Sequence, residues 1–478
     1  MIHRALIVIY TILLFNSDSI AQSPVEQQNR TVYNRIEYFI NTNQPDSVYA
    51  LASENFKVQV EKLGFINMIN TISSLGTISD AKAVKFSNNI AGYNVKAGNT
   101  SLTLELGVDS KYNFNYFLIK QGHIQTAKRK EEVKSNINKQ NELDFYVDSI
   151  ARAYLSNPNT KSLAIGVINK NQINTFFYGQ TLAGDDNSMP DGNTLYEIAS
   201  ITKVFTATLL ADLVEKGTIS LDDSIAKFLP DSVAQNPYIQ KITFKHLANH
   251  TAGFPKLPES FFKVANYNPQ NPYANYTSKD LFHYLKNCTL DHQPGEHFEY
   301  SNLGTGLLGE LISMITKKTY SQNIEEIITR PLGMQNTVQK ANPKTQKVVK
   351  VYNEKGEEVP LWDWKALAGA GSLKSTVHDL LRFAQYQFKL PESTLENAMA
   401  LTRQFTYYLP PNTDIGLAWH MNMIDEVIQI WHNGGTYGSS SFIGLVPDKK
   451  SAIVVLSNSA ISVDEISEHI LKKIANIK

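Results

Sequence analysis

Ser200-Ile201-Thr202-Lys203 opens a run that reaches Lys216, and the rest of the chain reads as scaffolding around it. A short apolar lead (Leu195, Ile198, Ala199) precedes it, and an apolar helix pattern through Val204, Leu209, Leu210, Leu213 and Val214 follows, ended by Gly217. Residues three apart share a helix face, so this spacing predicts that the Ser200 hydroxyl and the Lys203 amine meet at the first turn. A serine hydroxyl is a weak nucleophile near neutral pH. A lysine beside it lowers the cost of deprotonation, either directly or by lowering a neighbour's pKa. Ser-x-x-Lys also occurs at Ser79/Lys82, Ser224/Lys227 and Ser260/Lys263, so context must select Ser200. None of the other three has both the apolar lead and the long apolar helix.

Two further patterns supply partners for that pair. Tyr-x-Asn occurs at Tyr273-Ala-Asn275 and at Tyr300-Ser-Asn302, and the second sits after Pro294-Gly295 and before a helix beginning near Leu303. Tyr300 is therefore the candidate base. Its reference pKa of about 10 requires a cation such as Lys203 to hold it at or near the phenolate. Asn302 offers an amide that both donates to and accepts from a bound acyl group. His-x-Gly occurs at His432-Asn-Gly434, after a strand ending at Trp431, where the Gly435 amide could join that of Ser200 as an oxyanion pair.

These motifs, with His246-Leu-Ala-Asn-His-Thr-Ala-Gly253, Pro331-Leu-Gly-Met334 and Ala368-Gly-Ala-Gly371, follow one another in the order seen in the serine β-lactamase and penicillin-binding-protein superfamily. The chain resembles its class C β-lactamase and esterase-like branch from about Glu142 to Lys478. That resemblance implies a serine acyl-enzyme hydrolase with Ser200, Lys203 and Tyr300 catalytic and Asn302, His432, Gly434 and Gly435 at the substrate. It implies no cofactor and no metal. The substrate is expected to be a small molecule or peptide, with cell-wall fragments among the candidates. Tyr-Ser-Asn matches the class C pattern, whereas His-Asn-Gly replaces a lysine that anchors substrate carboxylates in β-lactam and D-alanyl-D-alanine recognition. Histidine is mostly neutral near pH 7. His432 is thus expected to face the leaving side and donate an uncharged hydrogen bond, and the reading leans to an esterase or D-amino-acid peptidase. A β-lactamase or D-alanyl-D-alanine carboxypeptidase, and a non-catalytic binding protein of the same fold, are the alternatives.

Competing chemistry finds less support. His246 and His250 are four apart, but Leu247 stands where His-Glu-x-x-His needs glutamate. No Gly-x-Ser-x-Gly elbow occurs. The Trp362-Asp-Trp364 cluster suits either the crevice or ordinary packing. Asp222 and Asp223 read as a cap and a turn.

The chain divides naturally. Met1 to Ala21 carries His3 and Arg4, an apolar run from Ala5 to Phe15, and Ser19-Ile20-Ala21, the pattern of a cleavable signal peptide and hence of a periplasmic or extracellular protein with no membrane span in its mature form. Residues 22–130 read as a small α+β accessory domain, helical from Val25 to about Asn89 and then a strand meander. Residues 131–141 read as a polar linker, and 142–478 as the hydrolase domain. In that domain, strands at Leu163 to Ile168, Ile173 to Tyr178, Val427 to Trp431, Phe442 to Val446 and Ala452 to Leu456 suggest one antiparallel sheet. Helices near Leu143 to Leu155 and Val463 to Ile474 flank it, and a mostly helical lobe from Ser200 to about Gln387 is inserted. The fold class is α/β, with the ligand crevice between sheet and lobe. Of the 478 residues 42% are hydrophobic, and 45 Lys plus Arg balance 45 Asp plus Glu, which gives no basic surface for nucleic acid. The single cysteine, Cys288, excludes an internal disulfide framework.

Overall fold

The computed structural model describes residues 24–87, 89–98, 100–121, 129–170, 172–409 and 413–477; the signal-peptide pattern lies outside them. The chain divides into two compact units, residues 1–126 and 127–478. In the first, helices α1 (Pro24–Asn41), α2 (Pro45–Ala50), α3 (Glu54–Gln59) and α4 (Lys62–Ser74) precede an antiparallel meander of β1 (Ile78–Ser87), β2 (Ile90–Ala97), β3 (Thr100–Val108) and β4 (Phe114–Gln121). Val32, Ile36, Phe65, Ile69, Leu104 and Phe114 form its core. Sequence reading carried the helices to Asn89, but β1 occupies the last part of that stretch. Gly76 ends the helical run at φ +123°, a conformation open to glycine. The β1–β2 register then slips between Ser79 and Lys82 and again between Ala83 and Lys85, which blurs the alternation that marks a strand.

The second unit is built on an eight-stranded antiparallel sheet. Its strands are β5 (Ser162–Asn169), β6 (Gln172–Gly179), β7 (Tyr407–Leu409), β8 (Thr413–Ile415), β9 (His420–Ile424), β10 (Val427–Gly435), β11 (Ser440–Val446) and β12 (Ser451–Ser457), in the spatial order β7-β8-β9-β10-β11-β12-β5-β6. All seven residues of β11 and of β12 are buried, so these strands are covered on both faces. That double burial explains their unbroken apolar runs. One face packs on α5 (Glu142–Leu155) and α8 (Asp464–Ala475) through Val147, Leu155, Phe442, Val455 and Ile470. The other face meets the helical lobe through Ala164, Ile443 and Val454, together with Val204 and Leu209 of α6 (Thr202–Glu215). An Asn141–Asp144 capping box starts α5.

The expected linker is bound structure. Asn136 Oδ1 accepts from the Phe177 amide at 2.8 Å, Ser135 bridges Tyr178, and the Gly179 amide donates to Lys134 O at 2.9 Å, so this segment lies along the outer edge of β6. Polar composition suggested a free tether. Backbone pairing along a sheet edge needs no apolar side chains.

Candidate active site

Ser200 lies in a single 3-10 turn, Ala199–Ile201, that leads directly into α6. Ala199 has φ +45°, a left-handed conformation that costs a non-glycine residue about 1–2 kcal/mol. Such strain marks places where the surroundings over-determine the backbone, and here it turns the chain sharply just before Ser200. From Thr202 to Leu213 every residue of α6 is buried, so Lys203 has no exposed surface at all.

Three groups surround the Lys203 amine. Its Nζ donates to Asn302 Oδ1 and to the Ala370 carbonyl, both at 2.8 Å, and lies 3.2 Å from Ser200 Oγ. Burial, reinforced by the positive charge of Lys256, pushes its pKa well below the ordinary lysine value. A neutral amine has two N–H bonds and one lone pair. Two partners here can only accept, so when the amine is neutral its lone pair is left for the Ser200 hydroxyl.

Ser301 caps α7 (Asn302–Thr316), its side chain accepting from the Gly304 amide, and this start of the helix presents Tyr300 and Asn302. The ring centre of Tyr300 is 4.8 Å from Lys203 Nζ. Burial raises its pKa above the usual phenol value, with the nearby Ser200 hydroxyl opposing. Sequence reasoning had Lys203 as a cation holding a phenolate. The buried pair instead favours the uncharged forms, amine and phenol, because desolvation penalises charge on both. Asn302 is oriented by its own amide, which donates to Tyr273 Oη at 2.8 Å, and Tyr273 stacks on Trp364 with ring centres 3.8 Å apart.

The β10 strand forms the opposite wall. A Cβ on Gly434 would lie 2.4 Å from the Ile198 carbonyl and 3.0 Å from the Ser200 amide nitrogen, so only glycine lets the strand approach the turn. Gly435, the next residue, is exposed. His432 is two residues before Gly434, hence on the same face of the strand. It is completely buried, its ring 6.4 Å from that of Tyr300. Its Nδ1 is 2.6 Å from the Asn433 carbonyl, which can only accept, so Nδ1 carries the proton and Nε2 bears the lone pair. The expected donor is therefore an acceptor, and it has no protein partner. Burial, with His420 and Lys203 nearby, keeps this histidine neutral.

The structure thus brings Ser200, Lys203, Tyr300, Asn302, His432, Gly434 and Gly435 to one place. It adds groups that sequence reasoning passed over. Ala370 acts through its carbonyl, which leaves no trace in residue type beyond the glycine-alanine motif around it. Tyr273 belonged to the rejected Tyr-x-Asn, yet it holds Asn302. His250 follows helix Phe244–Ala248 with φ +62°, off the helical path that would align it with His246. Its Nδ1 accepts from the Ser301 amide at 3.2 Å and its ring lies 4.5 Å from that of Tyr300, so it braces the Tyr300 segment. His246 closes a capping box on Thr243 instead. Among the described residues no group of three or more histidine, cysteine or acidic side chains could hold a metal.

Solved class C β-lactamases share this fold. One class C β-lactamase superposes with a TM-score of 0.62 at 24% identity, covering 70% of this chain and 96% of its own. A β-lactamase/D-alanine carboxypeptidase from Pseudomonas syringae gives a TM-score of 0.62 at 24% identity over 70% of this chain and 98% of that one. The match carries to the sequence level, since residues 147–476 fit the β-lactamase family, and the chain belongs to that family of serine hydrolases. Among its relatives, D-alanyl-D-alanine-carboxypeptidase/endopeptidase AmpH of Escherichia coli K12 is 29% identical over 334 residues, 66% of this chain and 84% of AmpH. Protein flp of Staphylococcus aureus MW2 is 30% identical over 297 residues, 60% of this chain and 57% of flp. Among the described residues no helix is long and apolar enough to cross a membrane.

Proposed function

We propose that the protein hydrolyses an ester or amide through an acyl-enzyme on Ser200, as an exported hydrolase of esterase or D-amino-acid peptidase type. The observation that carries this reading is the Lys203 amine, buried and bound to two obligate acceptors, with Ser200 Oγ as its third neighbour at 3.2 Å. A non-catalytic binding protein has no use for a lysine amine buried against a serine hydroxyl. The residues divide the work as follows. Lys203 takes the Ser200 proton as Oγ attacks the carbonyl carbon. The amides of Ser200 and Gly435 receive the developing oxyanion. Tyr300, held as a phenol, gives its proton to the leaving oxygen or nitrogen and is reprotonated from the Lys203 ammonium.

Position 432 carries no fixed cation, which favours substrates that are neutral on the leaving side. A D-alanyl-D-alanine peptidase is the second reading, favoured by the likeness to AmpH. Export is supported by the Met1 to Ala21 pattern alone. Purified protein offered a panel of neutral esters, D-amino-acid amides, D-alanyl-D-alanine peptides and β-lactams separates these readings. Neutral esters or amides should show the highest kcat/KM. A preference of tenfold or more for carboxylate-terminated peptides would put the second reading first.

A further inference from the structure

We propose that Glu197, three residues before the nucleophile, is a positioning residue that holds the Gly435 amide in place against Ser200, so that one buried carboxylate assembles the oxyanion pair. This rests on the acyl-enzyme reading above and adds to it the group that joins the two halves of that pair.

Three segments converge on the buried Glu197 side chain. Its own chain runs through Ile198 and Ala199 into Ser200. From the turn that follows β10, Thr436 Oγ1 donates to Glu197 Oε2 at 2.8 Å, and Ser439 Oγ donates to the same oxygen at 3.2 Å. From the tryptophan segment, the Trp362 amide donates to Glu197 Oε1 at 2.7 Å, while the Trp362 carbonyl accepts from Lys374 Nζ at 3.0 Å. Lys374 stands opposite Glu197 in a short antiparallel pair, Tyr196–Glu197 with Lys374–Ser375. Burial pushes the Glu197 carboxyl up in pKa, and Lys374 together with those three donors opposes the rise.

Gly435 ends β10, and its pairing with Ser440 of β11 places it within the sheet. Its position relative to Ser200 depends instead on ties between the sheet and the Ser200 turn. One tie lies before it, where Ser441 Oγ, opposite Gly434, donates to the Ile198 carbonyl at 2.9 Å. The other lies after it, where Thr436 meets Glu197. Gly435 is thus held on both sides against the residues that lead into Ser200. The donor set also explains why a carboxylate stands here. Thr436 Oγ1 already accepts from the amides of Gly438 and Ser439, at 3.2 and 3.0 Å. Both of its acceptor positions are filled, so its hydrogen has to go to an acceptor. A glutamine at 197 would offer one accepting oxygen and one nitrogen that only donates. Whichever way that amide turned, a donor would face either the Trp362 amide or the Thr436 hydroxyl, leaving a buried donor unpaired and one segment loosened.

The experiment measures kcat and KM of the full chain and of Glu197→Gln on a p-nitrophenyl ester and on its thiono analogue, which has C=S in place of C=O. Sulfur gains little from two amides set to receive an oxyanion, so a residue acting through that pair affects the oxo ester far more than the thionoester. The variant should lose about 10- to 100-fold in kcat on the oxo ester, the scale of a small misplacement at a reacting centre, with KM within about threefold of wild type. On the thionoester the loss should stay below about threefold, so the oxo-to-thiono ratio narrows by at least about threefold. Thr436→Val, which removes the hydroxyl beside Gly435, should narrow the ratio in the same direction, and the double variant should fall no further than Glu197→Gln alone. A merely structural role would lower both substrates equally. Equal losses, or an oxo-ester kcat within about threefold of wild type, overturn the proposal. If Glu197→Gln loses its cooperative melting transition, Thr436→Val decides alone: a narrowed ratio supports the proposal and an unchanged one overturns it. Intact-mass analysis of quenched wild type keeps the two readings apart. Absence of any Ser200 adduct there overturns the acyl-enzyme reading and the proposal with it, whereas an adduct with an unchanged ratio in the variants overturns the role of Glu197 alone.

Discussion

Lys203 and Tyr300 divide two accounts of the chemistry that residue type alone left open. If Lys203 served as a cation to hold a phenolate, arginine would preserve that charge. If it is a neutral base, arginine fails, because a guanidinium does not deprotonate in a protein. Lys203→Arg and Lys203→Met should therefore both lose at least about 10²-fold in kcat/KM. Substantial activity in the arginine variant would restore the phenolate mechanism. The same assignment fixes a pH sign. With its pKa depressed by burial, Lys203 is active when unprotonated, so kcat/KM should rise with pH along an acid limb and should not fall there. Tyr300→Phe should cost about 10²- to 10⁴-fold in turnover with little change in Tm. The side chains of this cluster were legible in the sequence because each sits in a short contiguous motif whose chemistry shows in residue type. The Ala370 carbonyl and the left-handed Ala199 were not, since backbone groups and dihedral angles depend on the path of the chain.

Strands β9 and β10 carry the next prediction. His420 stacks on Trp431 with ring centres 4.6 Å apart, and desolvation brings its pKa down to about 4. An unfolded histidine titrates near 6.5, so below that pH the unfolded chain binds the extra proton and stability falls until the folded ring also titrates. His250 and His432 act with the same sign. Lowering the pH from 6.5 to about 4 should cost on the order of 2 kcal/mol through His420, discounted for its partly exposed ring. Urea midpoints measured across that range should show the slope, and His420→Phe should flatten it. An equal slope in the variant would assign the acid sensitivity elsewhere. Gly434→Ala tests the close approach of β10: its methyl would lie 2.4 Å from the Ile198 carbonyl, so stability should drop by about 1–3 kcal/mol. The five inner and adjoining strands were readable as apolar runs between turns. Strands β7 and β8, with β9 beside them, were not, because Tyr407-Tyr-Leu409 and Thr413-Asp-Ile415 are short and partly polar. Their pairing is fixed by the neighbouring strand more than by their own composition.

At the scale of the whole molecule, the chemistry sits in one of two units. The first, up to Thr126, contains none of the groups placed in the candidate site. A chain beginning at Ala127 keeps Arg129, whose side chain donates to the carbonyls of Leu155 and Thr160, and keeps the segment paired with β6. It should fold and hydrolyse esters with kcat/KM close to that of the full chain. Starting at Asn141 instead removes the β6 edge cover, and its Tm should be lower than that of the chain starting at Ala127. Loss of activity in a folded Ala127 chain would give the first unit a part in the reaction. The gross plan of sheet, terminal helices and inserted lobe was visible in the sequence because the sheet's strands lie at both ends of the unit while the helical pattern lies between. Whether polar residues 131–141 float or pair was not visible, since an edge partner contributes backbone rather than side-chain signal.

The central claim is that Ser200, deprotonated by Lys203, becomes acylated. The measurement is intact mass followed by peptide mapping after a fluorophosphonate or an activated ester is mixed with wild type, Ser200→Ala and Lys203→Met. The account predicts one adduct per chain on the peptide containing Ser200 in wild type, none in Ser200→Ala, and labelling slowed by at least about 10²-fold in Lys203→Met. Labelling of Ser200→Ala at the wild-type rate, with the adduct mapped to another residue, would contradict it.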